Sequence, residues 1–281
     1  MKDTAPHAYF EADWLSLREV ADHQARATLL TDAASRWLAQ RMSNEHHIVD
    51  LGAGRGSNLR YLAPRLTRSQ RWRLIDHDPD LLRAVKREEA GLVDTAGMPI
   101  TLETETLDLN AARFEAGLDG ADLVTASALF DLVTREWIER LARACAARSA
   151  AVLFVLSIDG TIDFAPTGED DDFVTDLLAA HQRRDKSFGT ALGAEAPAVL
   201  RKAFEAQGYD VCLANSPWHI DAGNAALGTA LIEGWRSAAC EQAPKATARI
   251  DAWAEARTRA LMAGALSITV GHQDFFATPM P

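Results

Sequence analysis

Residues 47–58 read His-Ile-Val-Asp-Leu-Gly-Ala-Gly-Arg-Gly-Ser-Asn: a short apolar run, an acid, then three glycines on alternate positions. The apolar run followed by this turn predicts a buried strand over 47–51 that stops at Gly52. A helix is predicted to start near Ser57 or Asn58 and run through Leu59, Arg60, Tyr61 and Leu62. A glycine turn between strand and helix brings backbone N–H groups close to a ligand where no Cβ obstructs it. A second predicted strand, 72–76, ends on Asp76, a position suited to accept hydrogen bonds from a ribose. Together these features point to a ligand that carries a nucleoside.

Strand-like and helix-like segments alternate through the first half of the chain. Strands are predicted at 47–51, 72–76, 100–107, 122–126 and 150–158, and helices at 57–66, 79–89 and 135–147. Asp78 as N-cap with Pro79 at the first helical position supports the second of these helices. Such alternation implies a parallel sheet covered on both faces. Ahead of it, residues 10–40 carry a helical pattern with Trp14, Leu17, Ala21, Leu29 and Trp37 on the inward side. The rhythm breaks after Ile158, where Asp, Gly, Thr and Phe accumulate and a helix is expected near 172–183. It resumes with a helix at 196–207, a stop at Gly208 and a strand at 209–214. A helical excursion over 224–262 precedes the last strand, 267–276. The expected organisation is a single domain over 1–281, long enough for a sizeable core. Within it, 1–44 would form an N-terminal helical cap and 45–158 the ligand-binding core. Insertions at 159–195 and 222–264 would build a substrate cap.

Acidic residues outnumber basic ones by 40 to 29, for a formal net charge of −11. That field repels phosphate backbones and acidic membrane surfaces, so neither a nucleic acid nor a membrane is an expected partner. Cys145, Cys212 and Cys240 are far apart and form no metal-type pair, so no metal is expected and the thiols read as reduced, in a cytoplasmic protein. The polar start, Met1 to Pro6, has no apolar stretch after it of the kind a secretory signal needs. The sequence is compatible with a monomer or a homodimer.

Two ligand classes use a glycine turn with an acid at the end of the second strand. A dinucleotide fold wants G-x-G-x-x-G, but Ser57 stands where the third glycine would fall. No G-x-x-x-x-G-K-[ST] run is present, which excludes the loop of the nucleotide triphosphatases. The run from Asp50 to Gly56 resembles the first motif of class I S-adenosylmethionine-dependent methyltransferases of small-molecule type. Asp76 then matches the acid that holds both ribose hydroxyls in that family, and Asp108 the acid that receives the adenine amino group. Residues 122–127 match its fourth strand. The resemblance covers roughly residues 45–158 and leaves the insertions uncovered. It implies a seven-stranded, mostly parallel, doubly wound α/β sheet with helices on both faces, to which the helical pattern along the chain adds an N-terminal segment and insertions before and after the sixth strand. It also implies S-adenosylmethionine as cofactor, S-adenosylhomocysteine as product, and Asp50, Gly52, Ala53, Gly54, Asp76, His77, Asp108, Leu109 and Ser127 as cofactor-binding residues; Arg26, outside the resemblance, is a further cofactor candidate from its place on the N-terminal helix.

The family's reaction is an in-line displacement in which the protein mainly aligns and desolvates an already activated methyl group. The expected activity is methyl transfer to an oxygen or nitrogen of a small-molecule acceptor. The Asn/Asp-Pro-Pro-aromatic signature of amide and exocyclic-amine methylation is missing; Ser127-Ala128-Leu129-Phe130-Asp131-Leu132 stands in its place. DNA adenine and protein glutamine methylation lose weight accordingly. An NAD(P)-linked oxidoreductase and a catalytically silent S-adenosylmethionine-binding partner protein remain the alternatives.

Three places are candidates for contacts to the acceptor. Arg18, Asp22 and Arg26 recur every four residues, either as a solvated ion-pair ladder or as arginines reaching a carboxylate. The segment 181–189 joins His181 to basic residues, Lys186 and Phe188 among them, and reads as a lid or as an exposed helix end. The acidic run 169–172 reads as a solvated helix start. Ser216-Pro217-Trp218-His219 puts an aromatic ring and an imidazole beside the penultimate strand. Asp131, His181 and His219 are the candidate base or orienting groups, and Arg18, Lys186, Phe188 and Trp218 the candidate substrate contacts. His46 and His47 face opposite sides of their strand and form no ligand pair. His272, in the last strand, is expected to be structural.

Overall fold

The computed structural model describes residues 5–43, 45–67, 69–88, 91–111, 113–182 and 190–280. Eight strands share one sheet: β1 (Glu45–Leu51), β2 (Ser69–Asp76), β3 (Thr101–Thr106), β4 (Leu123–Ser127), β5 (Ala151–Ala165), β6 (Tyr209–Asn215), β7 (Trp218–Ile220) and β8 (Ser267–Pro279). The order is β3-β2-β1-β4-β5-β8-β6, with β7 paired to β8. All pairs from β3 to β5 are parallel, and β8 runs antiparallel to β5, β6 and β7. This is the mostly parallel, doubly wound sheet that the alternation implied.

The central strands are apolar on both sides, as strands covered by helices on both faces must be. One face packs Leu51, Val124, Phe130, Phe154 and Phe275 against α5 (Arg135–Ala146) and α7 (Ala196–Glu205). The other packs Ile48, Trp72, Leu74 and Leu153 against α2 (Thr28–Gln40), α3 (Ser57–Leu62) and α4 (Pro79–Glu88). A third cluster, including Phe164, Val174, Trp218, Ile232, Trp253 and Ile268, lies beyond them. It joins the far ends of β5 and β8 to α6 (Asp171–Gln182), α8 (Ala225–Gln242) and α9 (Thr247–Met262). No helix among the described residues is long and apolar enough to cross a membrane.

Three departures from the sequence expectation shape the molecule. The helical pattern over 10–40 is two helices, α1 (Ala5–Ala25) and α2, because Ala27 adopts an extended conformation between them. The strand expected to end at Ile158 continues to Ala165 after irregularities in its pairing with β8. There, Asp159 closes a tight turn by accepting a bond from the Thr161 N–H (2.9 Å), and Gly160 takes φ +88°. Asp and Gly in a strand normally signal its end, which is why residues 159–165 read as an insertion. The third departure is β7. It continues the edge that β6 begins, after a break at Ser216-Pro217, so the two short strands pair with the two halves of β8.

One buried carboxylate ties these departures together. Asp274 accepts from the Ala27 N–H (2.9 Å), the Leu156 N–H (2.9 Å) and the Ser216 hydroxyl (2.7 Å), with Arg26 Nε at 3.8 Å. Leu156 sits at φ +57°, a conformation that costs a branched side chain roughly 1–3 kcal/mol and needs surrounding bonds to hold it. Replacing Asp274 by Ala orphans three donors and a buried guanidinium. The expected loss in urea denaturation is about 3–5 kcal/mol, and a loss below about 1 kcal/mol would contradict the role assigned to this carboxylate.

Candidate active site

The glycine turn is anchored to β2 rather than free. The Ala53 N–H donates to the Ile75 carbonyl (3.0 Å), and the Gly54 N–H donates to Asp76 Oδ2 (2.8 Å). The other oxygen of Asp76 accepts from the Asp78 N–H (2.9 Å). Asp76 is therefore fixed in orientation, and a carboxylate has lone pairs beyond the two used here. Gly56 is required sterically: its φ is +76°, and a Cβ there would stand 3.0 Å from Val85 Cγ1 on α4.

Behind the turn lies a buried polar chain. Asn58 Nδ2 donates to Asp50 Oδ1 (2.8 Å) and to the Thr125 hydroxyl (2.9 Å), and Arg26 NH1 donates to Asn58 Oδ1 (2.8 Å). Asp50 is 1% exposed, and its Oδ2 has no hydrogen-bond partner. Burial pushes its pKa up to about 7, against the opposing pull of the Asn58 bond and of Arg26. Asn58, the hub of this chain, was legible in the sequence only as a helix start.

In front of the turn is a cavity of about 670 Å³. Among the expected residues, Asp50, Gly52, Ala53, Gly54, Asp76, His77, Asp108, Leu109 and Ser127 all line it. Arg26 does not. Helix α1 ends at Ala25, so Arg26 leaves the face it was expected to share with Arg18 and Asp22, and its guanidinium stacks over the Tyr61 ring at 4.3 Å. It bears on this cavity from behind, through its bond to Asn58 and its charge near Asp50.

A second cavity, of about 340 Å³, adjoins the first, and Trp14, Arg18, Ala128 and Leu132 line both. Arg18 grips Asp22 with two bonds (2.9 and 3.2 Å) and lies over the Trp218 ring at 5.1 Å. Trp218 Nε1 in turn donates to Asp22 Oδ1 (3.1 Å). Burial pushes the pKa of Asp22 up, against the pull of Arg18. Arg18, Asp131 and Trp218 all border this second cavity.

The two other candidate bases do not. His181 pairs with Glu241 on α8 (3.3 Å), while its neighbours Ala179 and Gln182 line the cavity. His219 is exposed on β7, where the two-residue period turns Trp218 and Ile220 inward and the imidazole outward. Lys186 and Phe188 fall outside the described residues. The structural expectation for His272 needs amending, because this buried imidazole borders the second cavity. Its signal was the two-residue period itself: Ile268, Val270 and His272 share one face of β8, and only the last is polar. No group of residues able to hold a metal ion occurs among the described residues.

No protein-family model and no curated protein matches the chain. Among solved structures, the cyclopropane synthase MmaA2 of Mycobacterium tuberculosis is 12% identical, with a TM-score of 0.48 over 88% of this chain and 82% of that one. A methyltransferase of Geobacter sulfurreducens in complex with S-adenosylhomocysteine is 17% identical, with a TM-score of 0.43 over 92% and 93%. A putative sarcosine dimethylglycine methyltransferase of Galdieria sulphuraria is 16% identical, with a TM-score of 0.43 over 90% and 87%. The strand order and the glycine turn at the mouth of β1 decide the architecture. The fold is Rossmann-like and doubly wound.

The raised pKa of Asp50 has a stability consequence. A carboxyl whose folded pKa lies above its unfolded value retains protons that the unfolded chain has lost, so stability falls as pH rises between the two values. The window runs from about 4 to about 7. Asp50→Asn removes this titration, so the stability difference between the variant and the wild type should shift in the variant's favour from pH 4 to pH 8, read as urea midpoints. Parallel pH profiles would refute the shift.

Proposed function

We propose that the chain is an S-adenosylmethionine-dependent methyltransferase that acts on an oxygen or nitrogen of a small molecule. The observation that carries this reading is the pair of adjoining cavities, one lined by the acids Asp76 and Asp108, the other largely apolar. The residues fit the cofactor. Asp76 and Asp108 offer acceptors for a ribose diol and an adenine amino group, the Gly54 backbone permits close approach, and the partnerless oxygen of Asp50 lies beneath the turn. Bound S-adenosylmethionine would supply an activated sulfonium methyl group. The chain's own task is to orient it toward the second cavity and to keep water out.

Arg18, Ala128 and Leu132 stand at the junction of the two cavities, and Asp131 and Trp218 border the acceptor side. Ala128 holds φ +51°, and its N–H donates to the Val155 carbonyl (2.9 Å). Strained backbone of this kind concentrates where a site demands a set geometry. A volume of about 340 Å³ suits a compact acceptor, at the small end for ligand pockets. The charge of −11 speaks against nucleic-acid substrates. A cytoplasmic setting and a small-molecule partner belong to the same proposal. The NAD(P) reading gains nothing from the second cavity. Arg18, the one cation among its described lining residues, is already engaged by Asp22, which leaves a second phosphate-bearing nucleotide without a counter-charge.

Calorimetry with S-adenosylhomocysteine and with NAD separates the readings: binding of NAD in preference to S-adenosylhomocysteine would overturn this one. Asp76→Ala should weaken S-adenosylhomocysteine about 100-fold or more, since two hydrogen bonds to a charged group are worth roughly 3–6 kcal/mol together. Trp218→Ala should leave that affinity within about threefold and lower acceptor binding instead. The reverse pattern would place the acceptor elsewhere.

A further inference from the structure

The second cavity holds one feature that its apolar walls do not require. His272 is 3% exposed, yet it borders open space rather than packed core. Its Nδ1 lies 3.0 Å from the Val270 carbonyl, which can only accept, so Nδ1 carries the proton and Nε2 the lone pair. Burial, reinforced by the positive charge of Arg18 and opposed by the Val270 bond and by Asp159, lowers its pKa to about 4. The imidazole is therefore neutral at physiological pH, and it packs against the Trp218 ring with centroids 4.8 Å apart and the planes tilted by 49°. Trp218 also carries the Arg18 guanidinium, and Arg18 lines both cavities, so a single ring separates His272 from a residue of the junction.

Resting on the methyltransferase reading, we infer that His272 is the residue that receives the acceptor's proton, and that the acceptor is an uncharged planar ring bearing an acidic hydroxyl of the phenol class. The ring follows from the walls. Trp14, Trp218 and Trp235 surround the space, and flat rings pair well with indoles. The absence of charge follows from Arg18, which Asp22 already neutralises, and from Asp131 and Glu195, which would repel a carboxylate. The hydroxyl follows from Nε2, a neutral acceptor that matches an O–H donor and has nothing to offer a carboxylate. An alkanol holds its proton too tightly for an imidazole to take, whereas a phenol near pKa 10 is within reach.

The step balances. The O–H bond breaks with its electron pair left on oxygen, the proton goes to Nε2, and oxygen bonds to the methyl carbon. The C–S pair returns to sulfur, which becomes a neutral thioether. One positive charge leaves sulfur as one appears on the imidazolium, so the net charge of the site is unchanged. This constancy lets so weak a base serve, because no additional charge is placed in a low-dielectric space. The proton then passes to solvent when the product leaves.

The test uses the full chain saturated with S-adenosylhomocysteine, with 2-naphthol and 2-methoxynaphthalene as probes in calorimetry. The two differ in whether oxygen carries a proton. Wild type should prefer 2-naphthol by about fivefold or more, the scale of one hydrogen bond. His272→Phe should abolish that preference while S-adenosylhomocysteine affinity stays within about threefold, and His272→Gln, which keeps an acceptor, should restore part of it. A structural role alone would weaken both probes equally. Nitrogen-15 spectra of the wild-type imidazole give a readout that no variant can spoil: 2-naphthol should shift Nε2 and leave Nδ1 protonated. An unmoved Nε2 signal, equal affinity for the two probes, or tighter binding of 2-naphthoate would overturn the inference. Failure of S-adenosylhomocysteine itself to bind would instead strike the methyltransferase reading beneath it.

Discussion

The carboxylate of Asp274 is the constraint on which the rest of the site depends. It stands in the last strand and gathers a backbone N–H from the α1–α2 break, another from the irregular middle of β5 and a hydroxyl from the gap between β6 and β7. Each of those segments departs from regular structure and would otherwise expose a buried polar group to an apolar interior. With the carboxylate in place, α1 reaches across the carboxyl ends of the strands, β5 changes its pairing with β8 at Leu156, and β7 turns Trp218 inward. The second cavity is bounded by the residues so placed: Trp14 and Arg18 from α1, Leu156 and Ile158 from β5, Trp218 from β7 and His272 from β8.

The polar groups of the interior divide into two linked sets. Asp50, Asn58, Thr125 and Arg26 underlie the glycine turn, and Arg26 comes within 3.8 Å of Asp274 in the other set. Arg26 is buried, with Nε and NH2 lacking hydrogen-bond partners, and burial lowers its pKa despite the neighbouring carboxylates. A buried cation so placed is weak evidence for stability but strong evidence for a fixed arrangement, since any shift would leave it without compensation. The two cavities are thus joined twice, through Arg18 and Asp22 at the surface of the site and through Arg26 beneath it.

The architecture and the first cavity were legible because their signals are local. The apolar runs at 47–51 and 122–126, the glycine turn and the acids at Asp76 and Asp108 each lie within one element, and their order along the chain matches their order around the cavity. The second cavity was not legible in the same way. Strand β5 hides its continuation behind Asp159 and Gly160, residues that elsewhere end strands. The sequence favours His219 over His272, and strand register reverses that order: one residue along β7 turns the ring to solvent, while the inward face of β8 holds the other. His181 was displaced by helix phase, which aims it at Glu241 on α8 while Gln182 borders the cavity.

The sequence by itself determined the class of fold and the residues that line the first cavity, because a strand, a glycine turn and two acids form a pattern whose geometry the backbone dictates. It also supplied the acidic charge that argues against polymeric acceptors. Only the tertiary structure decided which side chains line the second cavity. Those residues come from α1, β5, β7 and β8, segments well separated along the chain, and they join through one buried carboxylate whose partners no local pattern announces. Periodicity reports which face a residue shares within its own element, whereas a cavity between elements depends on how their breaks and registers fit together.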